Sequence, residues 1–239
     1  MIRRTIASAA AAVAVAALLP LGASASTPGP TTLQSRFAAK VGAAAAGTCN
    51  LSIPSRVAIG KPYLALQGKV TGTCTAPNSA SAWQLVHPSL GPGPVLPFDN
   101  TNSAPWDVTS DYPLGRMTWR GIGSVDAANN PLVQNAPVST VKLAAGAWIS
   151  SSRKADVVTL KGTSLLYSVS TNKYFKRPAG GVFQFREIGS TTWQTLKSVY
   201  TNKYGEVTLS YRFSKTRDYR FSLYSTSISW DLGSGTTRR

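Results

Sequence analysis

The chain has very few of the residues on which most enzymes and metal sites depend. Its 239 residues include one histidine, two cysteines and nine acids. Two cysteines and one histidine cannot complete a zinc site, and the acid spacing around Asp126 does not match a twelve-residue calcium loop. Gly-x-Ser-x-Gly, His-Glu-x-x-His and phosphate-binding glycine loops do not occur. We therefore predict a protein without a cofactor, a metal or a catalytic site.

Three residues could still carry catalysis. His87, the single histidine, falls on the same side of a predicted strand as Trp83 and Leu85, which favours a histidine at a strand end with satisfied hydrogen bonds. Asp107 and Asp111 occupy a turn-rich stretch and could form a carboxylate pair, but nothing in the local sequence raises either pKa. The pattern favours solvated acids, and a hydrolase site near His87 and Asp111 is the alternative.

Apolar runs long enough to cross a bilayer are also missing from the sequence. The first 25 residues combine Arg3 and Arg4 with a short apolar run at 9–19 and an Ala-x-Ala site at 23–25, which is typical of a cleaved signal peptide. A membrane anchor is the alternative, but the run is too short for one. We therefore expect a secreted, extracellular protein with no membrane span in the mature chain.

The two cysteines, Cys49 and Cys74, are expected to pair, because an oxidising compartment makes pairing the default. Alternation places Cys49 on the same side as Leu51, and Cys74 on the same side as Leu66 and Val70, so both thiols should point inward. The bridge would join the first predicted strand to the second. In the chain-entropy model such a loop contributes roughly 3 kcal/mol.

Strand-like alternation dominates the sequence after residue 47. Residues 181–224 contain four apolar runs separated by short polar turns, which indicates an antiparallel meander. In one run, Val207, Leu209 and Tyr211 alternate with polar residues, as in a strand with one buried face. No sustained helical period occurs in this part of the chain. We predict an all-β protein.

The spacing of the strands predicts two tandem immunoglobulin-like β-sandwiches. Residues 158–162 echo residues 64–68 at an offset of 94, close to the roughly 100 residues of such a sandwich. Small and polar residues at 144–152 suggest a hinge between the two units. The predicted organisation is a signal peptide at 1–25, a flexible tether at 26–47, a sandwich with the disulfide at 48–145 and a basic sandwich at 146–239.

Three local predictions concern particular segments. The Pro/Gly-rich residues 88–97 are expected to form a loop, and residues 226–230 are expected to form the last strand. Tyr219 follows a polar turn, where it could form a tyrosine corner or simply fill the core.

Five short segments of the chain resemble secreted actinobacterial proteins built of tandem immunoglobulin-like modules, most of which have no assigned activity. They include Gly-Ser-Thr-Thr-Trp at 189–193 and Asp-Tyr-Arg at 218–220. The others are residues 82–89, 113–119 and 134–137. The resemblance covers the mature chain and implies a fold and an extracellular location, without a site. Both cysteines precede Trp83, unlike the cysteines of antibody domains, so antigen-type recognition is not implied.

Positive charge is concentrated in the second half of the chain. Residues 47–145 contain six Lys/Arg and four acids, whereas residues 146–239 contain fifteen Lys/Arg and five acids. This asymmetry suggests that the second half meets an anionic polymer. The alternative is a solubilising surface on an exported protein.

The segment Thr-Asn-Lys-Tyr occurs twice in the basic half, at 171–174 and 201–204. If both loops leave the same end of a sandwich, they form one surface of cations and rings suited to an anionic cell-wall polymer or glycan. We call its predicted members the basic–aromatic set: Lys173, Tyr174, Phe175, Lys176, Arg177, Lys203 and Tyr204. Two ordinary turns with inward rings are one alternative. A partner protein bound through a sheet edge or a tryptophan patch at Trp106 and Trp119 is another.

Overall fold

The first half of the protein is built of strands. A computed structural model describes residues 35–37 and 47–239. Before residue 144 it contains β1 (Thr48–Ser52), β2 (Arg56–Ile59), β3 (Tyr63–Gly72), β4 (Ala80–His87), β5 (Gly91–Asp99), β6 (Ser103–Thr109), β7 (Gly115–Val125), β8 (Val133–Gln134) and β9 (Val138–Leu143).

The second half repeats this all-β construction. Its strands are β10 (Ala145–Lys154), β11 (Val157–Ser168), β12 (Lys173–Lys176), β13 (Gly180–Glu187), β14 (Gln194–Tyr200), β15 (Glu206–Arg212), β16 (Arg217–Leu223), β17 (Leu232–Gly233) and β18 (Thr237–Arg238). Among the described residues, no helix is both long and apolar enough to span a bilayer.

The two halves share one strand arrangement. In the first half, β6, β3 and β1 form one sheet with β8, and β5, β4, β7 and β9 form the other with β2. In the second half, β15, β11 and β10 form one sheet with β12, and β14, β13 and β16 form the other with β17 and β18. In each half a four-stranded sheet therefore faces a five-stranded sheet, as in an immunoglobulin-like sandwich. The predicted fold class is confirmed.

The core of the first sandwich is built around tryptophans. Trp106 and Trp119 are almost fully buried and meet edge to face with ring centroids 5.2 Å apart. Their indole N–H groups donate to the Tyr112 hydroxyl at 3.0 Å and to the Ser139 hydroxyl at 3.1 Å. The predicted exposed tryptophan patch at these positions is wrong, because both side chains are buried in the core. Each buried indole N–H needs a hydrogen-bond partner, and each has one.

The core of the second sandwich is built around Phe183, Phe221 and Tyr219, all fully buried. Tyr219 lies on β16, and its hydroxyl accepts a hydrogen bond of 2.6 Å from the hydroxyl of Tyr211 on β15. The residue therefore fills the core and joins the two sheets through a side-chain partner.

The predicted disulfide is confirmed. Cys49 on β1 and Cys74 are bonded, both are buried, and their Cα atoms are 5.3 Å apart. Since β3 ends at Gly72, Cys74 lies in the short 3-10 helix Thr73–Thr75 that follows it. The bridge therefore joins β1 to the 3-10 helix after β3, whereas the sequence predicted that Cys74 itself lies on the second strand.

The loop predicted at 88–97 is wrong over most of its length, because β5 covers Gly91–Asp99. This strand contains Pro92, Pro94 and Pro97, and within residues 35–37 and 47–239 it pairs only with β4. A strand at the edge of a sheet needs one hydrogen-bonded ladder, so it tolerates prolines that a central strand would not.

The strand predicted at 226–230 is also wrong. The Thr226 hydroxyl accepts the Ser229 N–H at 3.0 Å, which closes a local turn. Pairing with β16 is instead supplied by β17 and β18 further along the chain.

The predicted hinge at 144–152 is wrong as well. Only Ala144 separates β9 from β10, and its N–H donates to Ile59 at 2.8 Å while its carbonyl accepts from Tyr167 at 2.9 Å. Tyr167, on β11, is buried in the core of the first sandwich. The junction is therefore packed and hydrogen-bonded.

The predicted signal peptide and most of the predicted tether lie outside the described residues. Residues 35–37 are helical. Arg36 pairs with Asp99 at 3.1 Å, and the ring of Phe37 lies against Gly123, where a Cβ would be 2.3 Å from it. This short part of the segment therefore contacts β5 and β7.

Candidate functional site

Two loops of the second sandwich meet at Ser164, a fully buried residue of β11. Its hydroxyl donates to the carbonyl of Arg177, and its backbone N–H donates to the carbonyl of Gly205 at 2.8 Å. The Thr201 hydroxyl lies 2.9 Å from the Ser164 hydroxyl. The backbone after β12 is thereby joined to the turn at 201–205, which contains the second Thr-Asn-Lys-Tyr segment. The first such segment lies at the other end of β12, beside Ser168.

The two Thr-Asn-Lys-Tyr segments nevertheless fold differently. Asn172 has a positive φ of 53° and closes the hairpin between β11 and β12, with its side chain accepting the Tyr167 hydroxyl at 2.8 Å. Asn202 instead caps a turn, because its side-chain oxygen accepts the N–H groups of Tyr204 at 2.9 Å and Glu206 at 3.1 Å. The repeated segment therefore does not form a repeated structure: its asparagine stabilises a different kind of turn in each place.

The basic–aromatic set is divided over four places. Tyr174 and Lys176 line a groove on the outer face of the sheet, and Lys173 and Phe175 alternate to the opposite side of β12. Arg177 lines a separate hollow beside β13. Lys203 and Tyr204 occupy the 201–205 turn, where the lysine nitrogen lies 5.0 Å from the centre of the tyrosine ring.

The rings of the set are substantially exposed, whereas the alternative reading expected them to pack inward. Tyr174 is 45%, Phe175 46% and Tyr204 61% exposed. Tyr174 also contacts the first sandwich, since a Cβ at Gly60 would lie 2.6 Å from its hydroxyl oxygen. These rings are available to a ligand, and their role in binding one stays a prediction.

An open groove lies on the outer face of the β10–β11–β12 sheet, beside Tyr174 and Lys176 of the set. It has a volume of about 560 Å³. Trp148 stands at its wall and is 67% exposed. We call it the Trp148 groove, and its lining includes Trp148, Lys161, Thr163, Tyr174, Lys176 and Glu206. Trp148, Lys161 and Glu206 were not among the predicted site residues.

Glu206 organises the charges in this groove. Its carboxylate pairs with Lys161 at 2.9 Å on one oxygen and with Lys176 on the other. The hydrogen bonds from Lys176 and Lys161 lower the pKa of Glu206 to about 2. The two lysine ammonium groups are thus held beside the exposed rings. Together with the Glu206 carboxylate they carry a net charge of one positive unit.

A second cationic face lies on the opposite sheet, around Trp193. The guanidinium carbons of Arg220 and Arg186 lie 4.4 Å and 4.8 Å from the centre of its ring. The buried Asp218 accepts hydrogen bonds from Arg238 and Arg186, which hold its pKa below its ordinary value. Part of the positive charge of the second half therefore stabilises the fold through rings and a carboxylate.

The catalytic alternative around His87 finds little support in the geometry. The Nδ1 atom accepts the N–H groups of Ser89 and Leu90, both at 3.2 Å, so the proton is on Nε2, which donates to the carbonyl of Leu114 at 3.2 Å. Both ring nitrogens are thus occupied by backbone groups. His87 lines a small, mostly apolar cavity of about 160 Å³.

The two acids of the catalytic alternative, Asp107 and Asp111, are exposed. Asp107 accepts a hydrogen bond from the Tyr63 hydroxyl. A hydrogen bond from Thr109 lowers the pKa of Asp111, whereas a general acid needs a raised pKa. The arrangement fits the solvated acids expected from the sequence.

The carboxylate in the loop at 126–130 accepts hydrogen bonds from the backbone of the same loop. Asp126 accepts N–H groups from Ala128 at 2.9 Å and Asn130 at 2.7 Å. Across residues 35–37 and 47–239, no group of three or more His, Cys, Asp or Glu side chains is placed to hold a metal ion.

Comparisons with known proteins return distant structural similarity only. No family model and no curated protein matches the chain. Native Escherichia coli alpha-2-macroglobulin is 12% identical with a TM-score of 0.40, over 82% of this chain and 14% of that one. The FN1–FN3 domains of chicken CNTN1 are 6% identical with a TM-score of 0.31, over 82% and 67%. The D0–D1 domain of intimin is 12% identical with a TM-score of 0.25, over 80% and 96%.

The chain therefore spans about a seventh of the length of the alpha-2-macroglobulin chain to which it is similar. The immunoglobulin-like assignment rests on the strand order of the chain itself, which repeats in both halves.

Proposed function

We propose that the protein is a secreted, non-enzymatic binding protein whose second sandwich contacts an anionic cell-wall polymer or glycan through the basic–aromatic set. The observation that carries the proposal is the union of the two loops at Ser164. It fixes Lys176, Arg177 and the 201–205 turn in one region of a strongly basic half.

The cations and the exposed rings of the set would bind different parts of such a polymer. Lysine and arginine attract anionic groups over a distance set by ionic strength. Tyrosine and phenylalanine rings offer flat apolar faces on which sugar rings can stack. Three exposed rings of the set, Tyr174, Phe175 and Tyr204, therefore complement its cations.

The extracellular location in this proposal is supported by two independent features. The N-terminal sequence has the charge, apolar run and small-residue site of a signal peptide. The buried Cys49–Cys74 disulfide fits an oxidising compartment.

Retention on immobilised polygalacturonate and on purified bacterial cell walls tests the proposal. The wild type should be retained at low salt and released as salt rises, because exposed charges are screened. The variant Lys173→Ala/Lys176→Ala/Arg177→Ala/Lys203→Ala should elute at clearly lower salt.

The matched control removes four exposed cations outside the set: Lys154→Ala/Lys197→Ala/Arg212→Ala/Lys215→Ala. Its net charge equals that of the first variant, so only the position of the lost cations differs. Equal elution of both variants would show that retention follows net charge, and the assignment to the set would then be wrong.

A partner protein added at a sheet edge is the second candidate. In the described part of the chain β14 pairs with β13 alone, and Tyr200 at its end is 70% exposed. An extended peptide could continue this sheet through backbone hydrogen bonds. Capture of one stoichiometric partner that is lost in Ser198→Pro, which removes an N–H from the open edge of β14, would favour this candidate over polymer binding.

A further inference from the structure

We infer that the Trp148 groove seats a single glycan chain built of acidic pyranose units, with one sugar ring stacked on Trp148. This inference rests on the proposed function and names both the seat and the ligand class. It moves the centre of the site from the loop tips to the outer face of the β10–β11–β12 sheet.

Trp148 is unusual among the tryptophans of this protein. Trp83, Trp106 and Trp119 are buried, whereas Trp148 is 67% exposed on β10, opposite Thr163 of β11. Most of this large apolar ring stays in water when the chain folds, so folding gains little from it. A stacked ligand ring would bury this area and gain that free energy.

The ligand's charge follows from the lysines. Lys161 and Lys176 are held by Glu206, and both remain about half exposed, at 48% and 52% of the side chain. The Glu206 carboxylate can accept sugar hydroxyls, while the two ammonium groups can meet an acidic substituent on the same chain. A ligand that has hydroxyls, flat ring faces and carboxylates satisfies all three groups.

The ligand's length follows from a second hollow. A shallow trough of about 370 Å³ continues from the groove along β10 and β11 and is lined by hydroxyls, including those of Ser150, Ser152, Thr159 and Thr208. Ser150 and Lys161 belong to both hollows. From Trp148 to Ser152 the strand extends roughly 13 Å. The combined trough fits an extended, hydroxyl-rich chain.

Binding to three polymers tests this inference: polygalacturonate, polyglutamate and dextran. Polygalacturonate has both acidic groups and pyranose rings, polyglutamate has only the acids, and dextran has only the rings. We expect the wild type to bind polygalacturonate most tightly. Trp148→Ala should weaken that binding about tenfold and leave polyglutamate binding unchanged.

Tyr200→Ala is the matched control, since it removes an equally exposed ring from the opposite sheet. It should bind polygalacturonate as the wild type does, and Trp148→Phe should restore most of the affinity lost in Trp148→Ala. Unchanged polygalacturonate binding by Trp148→Ala would overturn the groove assignment and leave the proposed function standing. A wild type that binds none of the three polymers would overturn both.

Discussion

The guanidinium carbon of Arg56 in the first sandwich lies 4.1 Å from the centre of the Trp230 ring in the second. The Lys142 ammonium lies 4.5 Å from the same ring, and the indole N–H donates to the carbonyl of Val57 at 2.8 Å. Arg56 also pairs with Asp231. Together with the buried Tyr167, these contacts hold the two sandwiches together.

Trp230→Ala should weaken this link. We expect a loss of about 1–3 kcal/mol in the free energy of unfolding, because a half-buried ring, its hydrogen bond and its cation contacts are removed together. Urea unfolding followed by circular dichroism measures the loss. Trp148→Ala is the control and should change the stability by less than about 0.5 kcal/mol; equal effects would show that Trp230 does not join the halves.

Gly205→Ala should destabilise the union of the two loops by about 1–3 kcal/mol. Gly205 has a φ of +68°, and a Cβ there would lie 2.7 Å from the Ser164 carbonyl oxygen and 2.8 Å from the Arg177 nitrogen. Gly189→Ala is the control, since its φ is +84° but nothing lies within 4 Å. Thermal unfolding should show the larger loss for Gly205→Ala, and equal losses would mean that backbone strain alone is responsible.

The ion pairs of Glu206 should make stability depend on acid pH. Its pKa is lowered to about 2 from an ordinary 4.5, so the folded state binds the proton less readily than the unfolded state does. The stabilisation is present above pH 4.5 and is lost as the pH falls toward 2. Glu206→Gln should be less stable than the wild type at pH 6, and the difference should vanish near pH 2 in denaturant titrations. A constant difference across this range would contradict the pairing.

Removing the disulfide with Cys49→Ala/Cys74→Ala should lower the free energy of unfolding by about 3 kcal/mol. The bridge closes a segment of 25 residues, which restricts the unfolded chain. Urea unfolding of the variant, compared with the wild type at the same pH, gives the difference. A loss below about 1 kcal/mol would mean that strain in the bridge offsets the entropy it removes.

The fold class and the disulfide could be predicted because both depend on local alternation. Val158 and Leu160 are fully buried on β11, whereas Val157, Thr159 and Lys161 beside them are partly or fully exposed, as the two-residue period requires. Cys49 likewise falls on the inward side of β1 with Leu51. The edge strand β5 could not be predicted. Its prolines indicate a loop, and only the structure shows that β5 lies at a sheet edge, where a strand tolerates proline.

The Trp148 groove could not be found from local patterns either. In the run Ala147, Trp148, Ile149 all three side chains are apolar, so alternation does not say which one faces water. The register of β10 with β11 decides it, by placing Ala147 opposite the buried Ser164 and Trp148 opposite Thr163. That register depends on distant parts of the chain.

The indole N–H resonances of the protein give the most direct test of the binding site. There are six tryptophans, and each gives one signal: Trp83, Trp106, Trp119, Trp148, Trp193 and Trp230. On titration with short polygalacturonate oligomers, the Trp148 signal should shift in a saturable way while those of the buried Trp106 and Trp119 stay fixed. An unshifted Trp148 signal at saturating ligand would contradict the account.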